Sequence, residues 1–189
     1  MKIGLISDTH GSVKGFQKAL DGPFRDVEMI LHAGDVLYHG PRNPLVEGYD
    51  TASLAEKINS LHVPLMIAKG NCDADVDELV LAVPLLSPYV FLHIDQKRIL
   101  ILHGDHKKEG DFENLIRRFD LAVLVHGHSH MARIKKVGGS LIINPGTPAI
   151  PNPSSPFKKT VGVLDLAQGT VRIWDIETGD VVLEDAFDV

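Results

Sequence analysis

Five apolar runs in this chain each end directly in a cluster of polar residues beside a glycine, and this repeated pattern constrains the fold more than any other feature. The clusters are Asp8-Thr9-His10, Gly34-Asp35, Gly70-Asn71-Cys72-Asp73, His103-Gly104 and Gly127-His128-Ser129-His130. In the first half of the chain, segments with helical spacing lie between the apolar runs, which predicts βαβ units and a parallel sheet. Because ligands of open α/β sheets bind beyond the carboxyl ends of the strands, we expect the five clusters to meet at one place.

The second half of the chain is richer in predicted strands than the first. Turn residues at Asp95–Lys97, Gly138-Gly139 and Ala167–Gly169 separate pairs of short apolar runs and predict three hairpins. The proline-containing stretch Pro151–Pro156 is interpreted as a surface loop, because the 33 residues that follow it are too few for an independent domain. We therefore expect a single domain over residues 1–189.

Charge and cysteine content narrow the classes of protein that this chain can be. Lys and Arg number 19 against 25 Asp and Glu, a net charge of −6, so a nucleic-acid polymer or an anionic membrane is not the expected partner. The longest uncharged runs contain several prolines, and neither predicts a membrane span. One cysteine excludes an internal disulfide, and the N-terminal apolar run reaches Asp8 too soon for a signal peptide. These features predict a cytoplasmic protein.

The convergent clusters supply seven side chains that can bind metal through oxygen or nitrogen. They are Asp8, His10, Asp35, Asn71, His103, His128 and His130. Seven mixed ligands are too many for one tetrahedral ion, and they suit two ions that share one carboxylate. The mixture of imidazole and carboxylate favours Mn, Fe or Zn over Mg or Ca.

The same motifs resemble the signature of the calcineurin-like metallophosphoesterases over nearly the whole chain. Three segments resemble the small bacterial phosphodiesterases of the YfcE type in particular: Gly34–Pro44, Gly70–Asp73 and Asn144–Thr147. The resemblance implies an α/β fold in which two β-sheets form a sandwich flanked by helices, in α-β-β-α order. It also implies two divalent cations, with Mn²⁺ preferred and Fe or Zn as alternatives.

The resemblance also assigns ligands and catalytic residues. One ion is expected to bind Asp8, His10, Asp35 and His130, and the other to bind Asp35, Asn71, His103 and His128, so that Asp35 bridges the two. A hydroxide held between two such ions has a lowered pKa and attacks phosphorus in line. The catalytic candidates are Asp35, Asn71, Cys72 and Asp73. Cys72 stands where most of the superfamily has a histidine close to the leaving group.

The segment from Tyr38 to Asp50 supplies the candidate substrate contacts His39, Arg42 and Asn43. Loops of this length without regular structure are often functional, and the Arg42 guanidinium is suited to clamp a phosphate oxygen. The expected function is metal-dependent hydrolysis of a small phosphodiester. A phosphomonoesterase, a nuclease that acts on short substrates and a non-catalytic interaction scaffold of the same fold stay open as alternatives, as does a homo-oligomer.

Overall fold

The computed structural model describes residues 1–188 and places two β-sheets face to face. The first sheet has seven strands, which are in spatial order β12 (Val181–Ala186), β11 (Thr170–Asp175), β10 (Thr160–Asp165), β1 (Lys2–Ile6), β2 (Met29–His32), β3 (Leu65–Ala68) and β4 (Leu85–Leu86). The second sheet has five strands, which are β5 (Val90–Ile94), β6 (Lys97–Leu102), β7 (Val123–His126), β9 (Ser140–Asn144) and β8 (Arg133–Val137). The helices are α1 (Val13–Asp21), α2 (Thr51–Asn59), α3 (Glu109–Phe119) and a 3-10 helix at Asp75–Leu79.

Apolar residues form three layers of contact between these elements. Between the sheets, Leu5 and Leu31 of the first sheet belong to the same buried cluster as Ile101 and Val123 of the second. On the outer face of the first sheet, α1 and α2 contribute a second cluster that includes Phe16. On the outer face of the second sheet, Phe112 and Ile116 of α3 pack onto β6 and β7. The order of layers is α-β-β-α, so the predicted fold class is confirmed.

Strand direction decides where the site lies. Strands β1 to β4 pair in parallel, and so do β6, β7 and β9 in the other sheet. Parallel neighbours end at the same edge, because their carboxyl ends point the same way. The parallel arrangement predicted for the first half of the chain is therefore present, and the antiparallel strands β10 to β12 extend that sheet at one side.

Two helix starts illustrate what the local sequence specifies. Ser12 caps α1, because its hydroxyl accepts a hydrogen bond of 3.1 Å from the Gly15 amide. Helix α3 begins at Glu109, where Asp111 accepts a hydrogen bond from the Lys108 amide and closes the first turn. None of the helices formed by residues 1–188 has the length and apolarity needed to cross a bilayer.

Candidate metal centre

All five polar clusters follow strands that end at one edge of the sandwich. Asp8 follows β1, Asp35 follows β2 and Asn71 follows β3, while His103 and His128 follow β6 and β7 of the second sheet. The structure brings the seven predicted ligands together there.

The backbone at this edge is strained. Asp8, His10, Asp35, His128 and His130 all have positive φ angles, of 55°, 44°, 59°, 68° and 56°. Residues other than glycine rarely adopt this region, and a cluster of them is typical of functional sites. The surrounding fold therefore stabilises the conformation that the ligand side chains need.

Two glycines allow the loops to approach each other. A Cβ atom on Gly70 would lie 2.2 Å from Asp35 Oδ1, and one on Gly127 would lie 1.9 Å from the Ser7 hydroxyl. Both distances are shorter than any tolerable contact, so any residue larger than glycine would displace the carboxylate beside it.

One group of ligand atoms surrounds the Asp8 carboxylate. His130 Nε2 lies 3.2 Å from Asp8 Oδ1 and 3.1 Å from His10 Nε2. His10 Nε2 also lies 3.8 Å from Asp35 Oδ2. These four residues are the set that the motif match assigns to the first ion.

A second group of ligand atoms surrounds His103 Nε2. This nitrogen lies 3.3 Å from Asp35 Oδ2, 3.0 Å from Asn71 Oδ1 and 3.3 Å from His128 Nδ1. Asp35 Oδ2 therefore faces both groups, which is the position that a bridging carboxylate requires. The other oxygen of this carboxylate, Oδ1, accepts a hydrogen bond of 2.8 Å from the Cys72 amide.

Backbone carbonyls fix the orientation of three of the histidines. The Nδ1–H groups of His10, His103 and His130 donate to the carbonyls of Tyr38, Ala33 and Ile150, at 2.8, 2.8 and 2.5 Å. A neutral imidazole that donates through Nδ1 presents a lone pair at Nε2. These three carbonyls thus turn all three Nε2 atoms towards the carboxylates.

The resulting site consists of acceptor atoms that face one another. Lone pairs of His10 and His130 meet at 3.1 Å, and Asp8 Oδ1 is buried without a hydrogen-bond partner among residues 1–188. Such an arrangement is unfavourable unless positive charge lies between the acceptors. The donor set therefore fits divalent cations, which supply that charge.

The pKa values of Asp8, His103 and His130 also indicate a negative electrostatic potential at the site. Burial opposes charge on both Asp8 and His130, yet the contact between the two lowers the pKa of Asp8 and raises that of His130. Burial alone would also lower the pKa of His103, but its contact with Asp35 and the charge of Asp8 raise that pKa to about 9. The site stabilises positive charge at the positions that metal ions would occupy.

Asp73 differs from its predicted catalytic role. Asp73 Oδ2 accepts hydrogen bonds from the amides of Asp35 and Gly70, at 2.9 and 2.7 Å, and Oδ1 accepts one of 2.7 Å from the Val36 amide. The carboxylate is 6% exposed and both its oxygens are used by the backbone. Asp73 thus ties the Asp35 loop to the Asn71 loop, and we assign it a positioning role.

Cys72 lies against the ligands. Its sulfur forms a group with His10 and Asp35 in which the possible ligand atoms all lie within 4.8 Å of one another. The Asn71 side-chain amide donates to this sulfur at 3.3 Å. Burial and the charge of Asp35 raise the pKa of Cys72 to about 12, so the side chain is a neutral thiol beside the carboxylate.

A cleft of about 710 Å³ opens over the ligands. Two of the three candidate substrate contacts, Arg42 and Asn43, are among its lining residues, and His39 is not. The His39 ring packs edge-on against Tyr38 and Tyr49, and its Nδ1 lies 3.3 Å from the Tyr49 hydroxyl. Aromatic neighbours thus hold the His39 ring, and substrate contact by any of the three residues stays a prediction.

Another part of the cleft wall was missed by sequence reasoning. It is formed by residues 150–153, where Asn152 donates through its side-chain amide to the Ser129 carbonyl at 3.0 Å. The structure confirms that Pro151–Pro156 is a loop without helix or strand, but its prolines gave no sign that the loop would reach the metal ligands. The available signal was the neighbouring Asn144–Thr147 motif, since Thr147 donates to the Asp8 carbonyl at 2.8 Å.

His32 supports the site from beneath. Its Nδ1 accepts a hydrogen bond of 3.0 Å from the Gly34 amide, so the proton is on Nε2, which lies 2.9 Å from the Thr9 hydroxyl. The Thr9 hydroxyl in turn donates to the Val36 carbonyl at 2.9 Å. The ring is fully buried and links the end of β1 to the end of β2, as expected for a satisfied core histidine.

The family model of the calcineurin-like phosphoesterase superfamily domain matches residues 1–169. The chain belongs to the calcineurin-like phosphoesterase superfamily. The predicted family is therefore confirmed, and the matched range includes all seven candidate ligands. The residues beyond it, as far as 188, complete the first sheet of the superfamily sandwich with β11 and β12.

Individual members of the superfamily resemble the chain along most of its length. Phosphodiesterase YfcE of Escherichia coli is 34% identical over 166 residues, which cover 87% of this chain and 88% of the relative. The solved structure of the E. coli YfcE phosphoesterase covers all of both chains with a TM-score of 0.84 and 28% identity. Vacuolar protein sorting 29 of Cryptosporidium parvum has a TM-score of 0.69 at 20% identity, over 100% of this chain and 98% of that one, and shares the fold.

Proposed function

We propose that this protein is a metal-dependent phosphodiesterase that acts on small phosphodiesters. In the reaction, the oxygen of water forms a bond to phosphorus, the bond from phosphorus to one ester oxygen breaks, and the departing alcohol takes up a proton. The observation that carries the proposal is the pair of acceptor groups that both face Asp35 Oδ2, because two such groups are suited to hold two cations beside one phosphate. The membership of the superfamily and the similarity to YfcE support it.

The chain's own residues divide into ligands and their supports. Asp8, His10, Asp35 and His130 would hold one cation, and Asp35, Asn71, His103 and His128 the other. Bound there, two divalent cations polarise phosphoryl oxygens and lower the pKa of water. We propose Mn²⁺ as the ion, with Fe or Zn as alternatives, since the ligands mix imidazole with carboxylate.

The cleft suits a small anionic substrate. Arg42, Asn43 and Asn152 line the cleft, and their side chains can donate hydrogen bonds to phosphate oxygens. Arg42 is the single Lys or Arg among the described residues that line the cleft, which argues against a nuclease that tracks a long backbone. All seven ligands come from one chain, so a homo-oligomer is not needed to complete the site.

The compartment is part of the same proposal. Cys72 is a free thiol that is partly exposed beside the ligands. A reducing cytoplasm would keep it reduced. We therefore assign the protein to the cytoplasm.

The test combines metal content with turnover. The protein is stripped with EDTA, reloaded separately with Mn²⁺, Zn²⁺ and Fe²⁺, and assayed on bis(p-nitrophenyl) phosphate and on p-nitrophenyl phosphate. We expect two ions per chain and faster hydrolysis of the diester than of the monoester. One ion per chain would overturn the two-metal assignment, and a faster monoester would make the enzyme a phosphomonoesterase.

A matched pair of variants separates ligand loss from general damage. Asp35→Asn removes the charge that both groups share, and we expect it to lower metal content and to abolish most activity. Asp75→Asn changes the same side chain at an exposed position and should leave metal content and turnover unchanged. Full activity in Asp35→Asn, or no turnover of any phosphoester by the metal-loaded wild type, would refute the enzyme and favour a non-catalytic scaffold.

A further inference from the structure

A second cavity adjoins the metal cleft. It has a volume of about 680 Å³ and lies between α2 and the segment from Cys72 to Val80. Tyr38, Cys72 and Ala74 line both this cavity and the cleft. Because the Cys72 sulfur is also within 4.8 Å of ligand atoms of His10 and Asp35, the shared boundary lies at the metal centre itself.

Hydrogen bonds hold the walls of this cavity in place. The Asn59 side chain donates to the Val80 carbonyl at 2.7 Å and accepts from the Ala82 amide at 2.7 Å, which ties the end of the 3-10 helix to α2. Asp77 accepts a hydrogen bond of 2.9 Å from the Ala74 amide and closes the first turn of that helix. The cavity is thus formed before any ligand binds.

Apolar and aromatic side chains supply a large part of the lining of the cavity. Tyr38, Tyr49, Val76 and Val80 contribute to it, and Tyr38, Val76 and Val80 expose 42%, 61% and 52% of their surface. Large apolar side chains left open to water around one concave surface commonly mark a binding site. The aromatic rings suit contact with another ring or with an alkyl chain.

The charge of the cavity differs from that of the cleft. Glu56 and Asp77 line the cavity, and none of the described residues that line it is a lysine or an arginine. The cleft, by contrast, contains Arg42 and the positions for two cations. A phosphate is therefore attracted to the cleft, whereas a second anionic group would be repelled from the cavity.

From this juxtaposition we propose that the cavity binds one ester arm of the substrate, an uncharged aromatic or alkyl group. The inference rests on the proposed phosphodiesterase function, because a diester at the metal centre carries two arms and one of them would lie at the boundary formed by Tyr38, Cys72 and Ala74. The enzyme would then select phosphodiesters with an apolar arm over those whose arms carry a further phosphate or carboxylate.

Binding measurements test the proposal without depending on turnover. Three diesters are titrated into the Mn²⁺-loaded protein by calorimetry: dimethyl phosphate, diphenyl phosphate and bis(4-carboxyphenyl) phosphate. We expect diphenyl phosphate to bind about 10- to 100-fold more tightly than dimethyl phosphate, from burial of one ring. The dicarboxylate should bind at least about 10-fold more weakly than diphenyl phosphate, since Glu56 and Asp77 repel it.

Variants of the cavity lining test whether the preference for diphenyl phosphate arises in the cavity. Ala74→Trp fills the shared boundary and Val76→Asp adds charge to an exposed position of the lining, and each should remove most of the preference for diphenyl over dimethyl phosphate. Leu79→Trp is the control, because Leu79 is 81% exposed on the same 3-10 helix and lines neither the cavity nor the cleft. The control should keep the wild-type preference.

The outcomes distinguish this inference from the proposed function. Equal affinity for the three diesters, or a preference that survives both Ala74→Trp and Val76→Asp, overturns the assignment of the cavity even if the protein hydrolyses diesters. A preference for diphenyl phosphate that is lost in the two variants supports the assignment of the cavity to an ester arm. If such a protein shows no turnover, the proposed hydrolysis falls, and the diester is then a ligand of the cavity and not a substrate.

Discussion

The Asp73 carboxylate offers the sharpest test of how the metal loops are held. In Asp73→Asn one carboxylate oxygen becomes an NH₂ group, which can donate but cannot accept. In either orientation of the amide, at least one of the amides of Asp35, Val36 and Gly70 then faces a donor instead of an acceptor. The variant therefore loses at least one hydrogen bond to a buried charged group and leaves a buried N–H unpaired.

The size of the effect follows from the same contacts. A hydrogen bond to a charged group contributes about 1.5–3 kcal/mol, and an unpaired buried donor costs about 1–3 kcal/mol. Burial of Asp73 raises its pKa, so the variant regains part of the desolvation cost of the carboxylate. We expect a net loss of about 2 kcal/mol in the free energy of unfolding, which corresponds to a fall of roughly 4–8 °C in Tm for a chain of this size.

Metal affinity should fall together with stability. The lost anchor frees the loop that carries Asp35, and changes behind metal ligands typically cost about 10- to 100-fold in affinity. Urea unfolding in EDTA measures the first effect and metal titration measures the second, with Asp75→Asn as the exposed control. Unchanged stability and metal affinity combined with a large fall in kcat would refute the positioning role and restore the catalytic role predicted from the motif.

Three further predictions concern single side chains around the site. Burial lowers the pKa of His32 to about 4, so its ring is neutral in the fold and takes up a proton on unfolding. The free energy of unfolding therefore decreases as pH falls from about 6.5 towards 4. In His32→Gln, the slope of unfolding free energy against pH, measured in EDTA, should be smaller by about 1.4 kcal/mol per pH unit. An unchanged slope would contradict this prediction. Gly70→Ala places a Cβ atom 2.2 Å from Asp35 Oδ1 and should abolish metal binding. Gly110→Ala is the control, because a Cβ atom at this position of α3 would have no neighbour within 4 Å, and it should bind metal normally. Normal metal binding by Gly70→Ala would show that the loop can move. Cys72→His should make turnover less sensitive to the pKa of the leaving group, since general acid catalysis matters most for basic leaving groups. The rate should rise by at least about 10-fold on alkyl esters and little on nitrophenyl esters. If the slope of rate against leaving-group pKa does not change, another group is the acid.

The sequence by itself predicted the candidate metal ligands, and the resemblance of its motifs to a known family implied the class of fold that the structure confirms. Each candidate ligand lies within four residues of the end of a strand, as Asp8 does for β1 and His103 for β6, so a local pattern of apolar runs and polar ends contains the information. The hairpin turn at Gly138-Gly139 and the Ser12 cap of α1 are local in the same sense. Such features depend on neighbouring residues and can be derived from spacing alone.

Only the tertiary structure decided what surrounds the ligands. The role of Asp73 depends on amides that lie up to 38 residues away, and the orientation of His39 depends on packing against Tyr49. The wall formed by Asn152 and the cavity beside Cys72 likewise arise where segments distant in sequence meet. Periodicity records which face of an element is buried but not which segment will cover it, because side-chain contacts between distant segments are set by the packing of the whole sandwich.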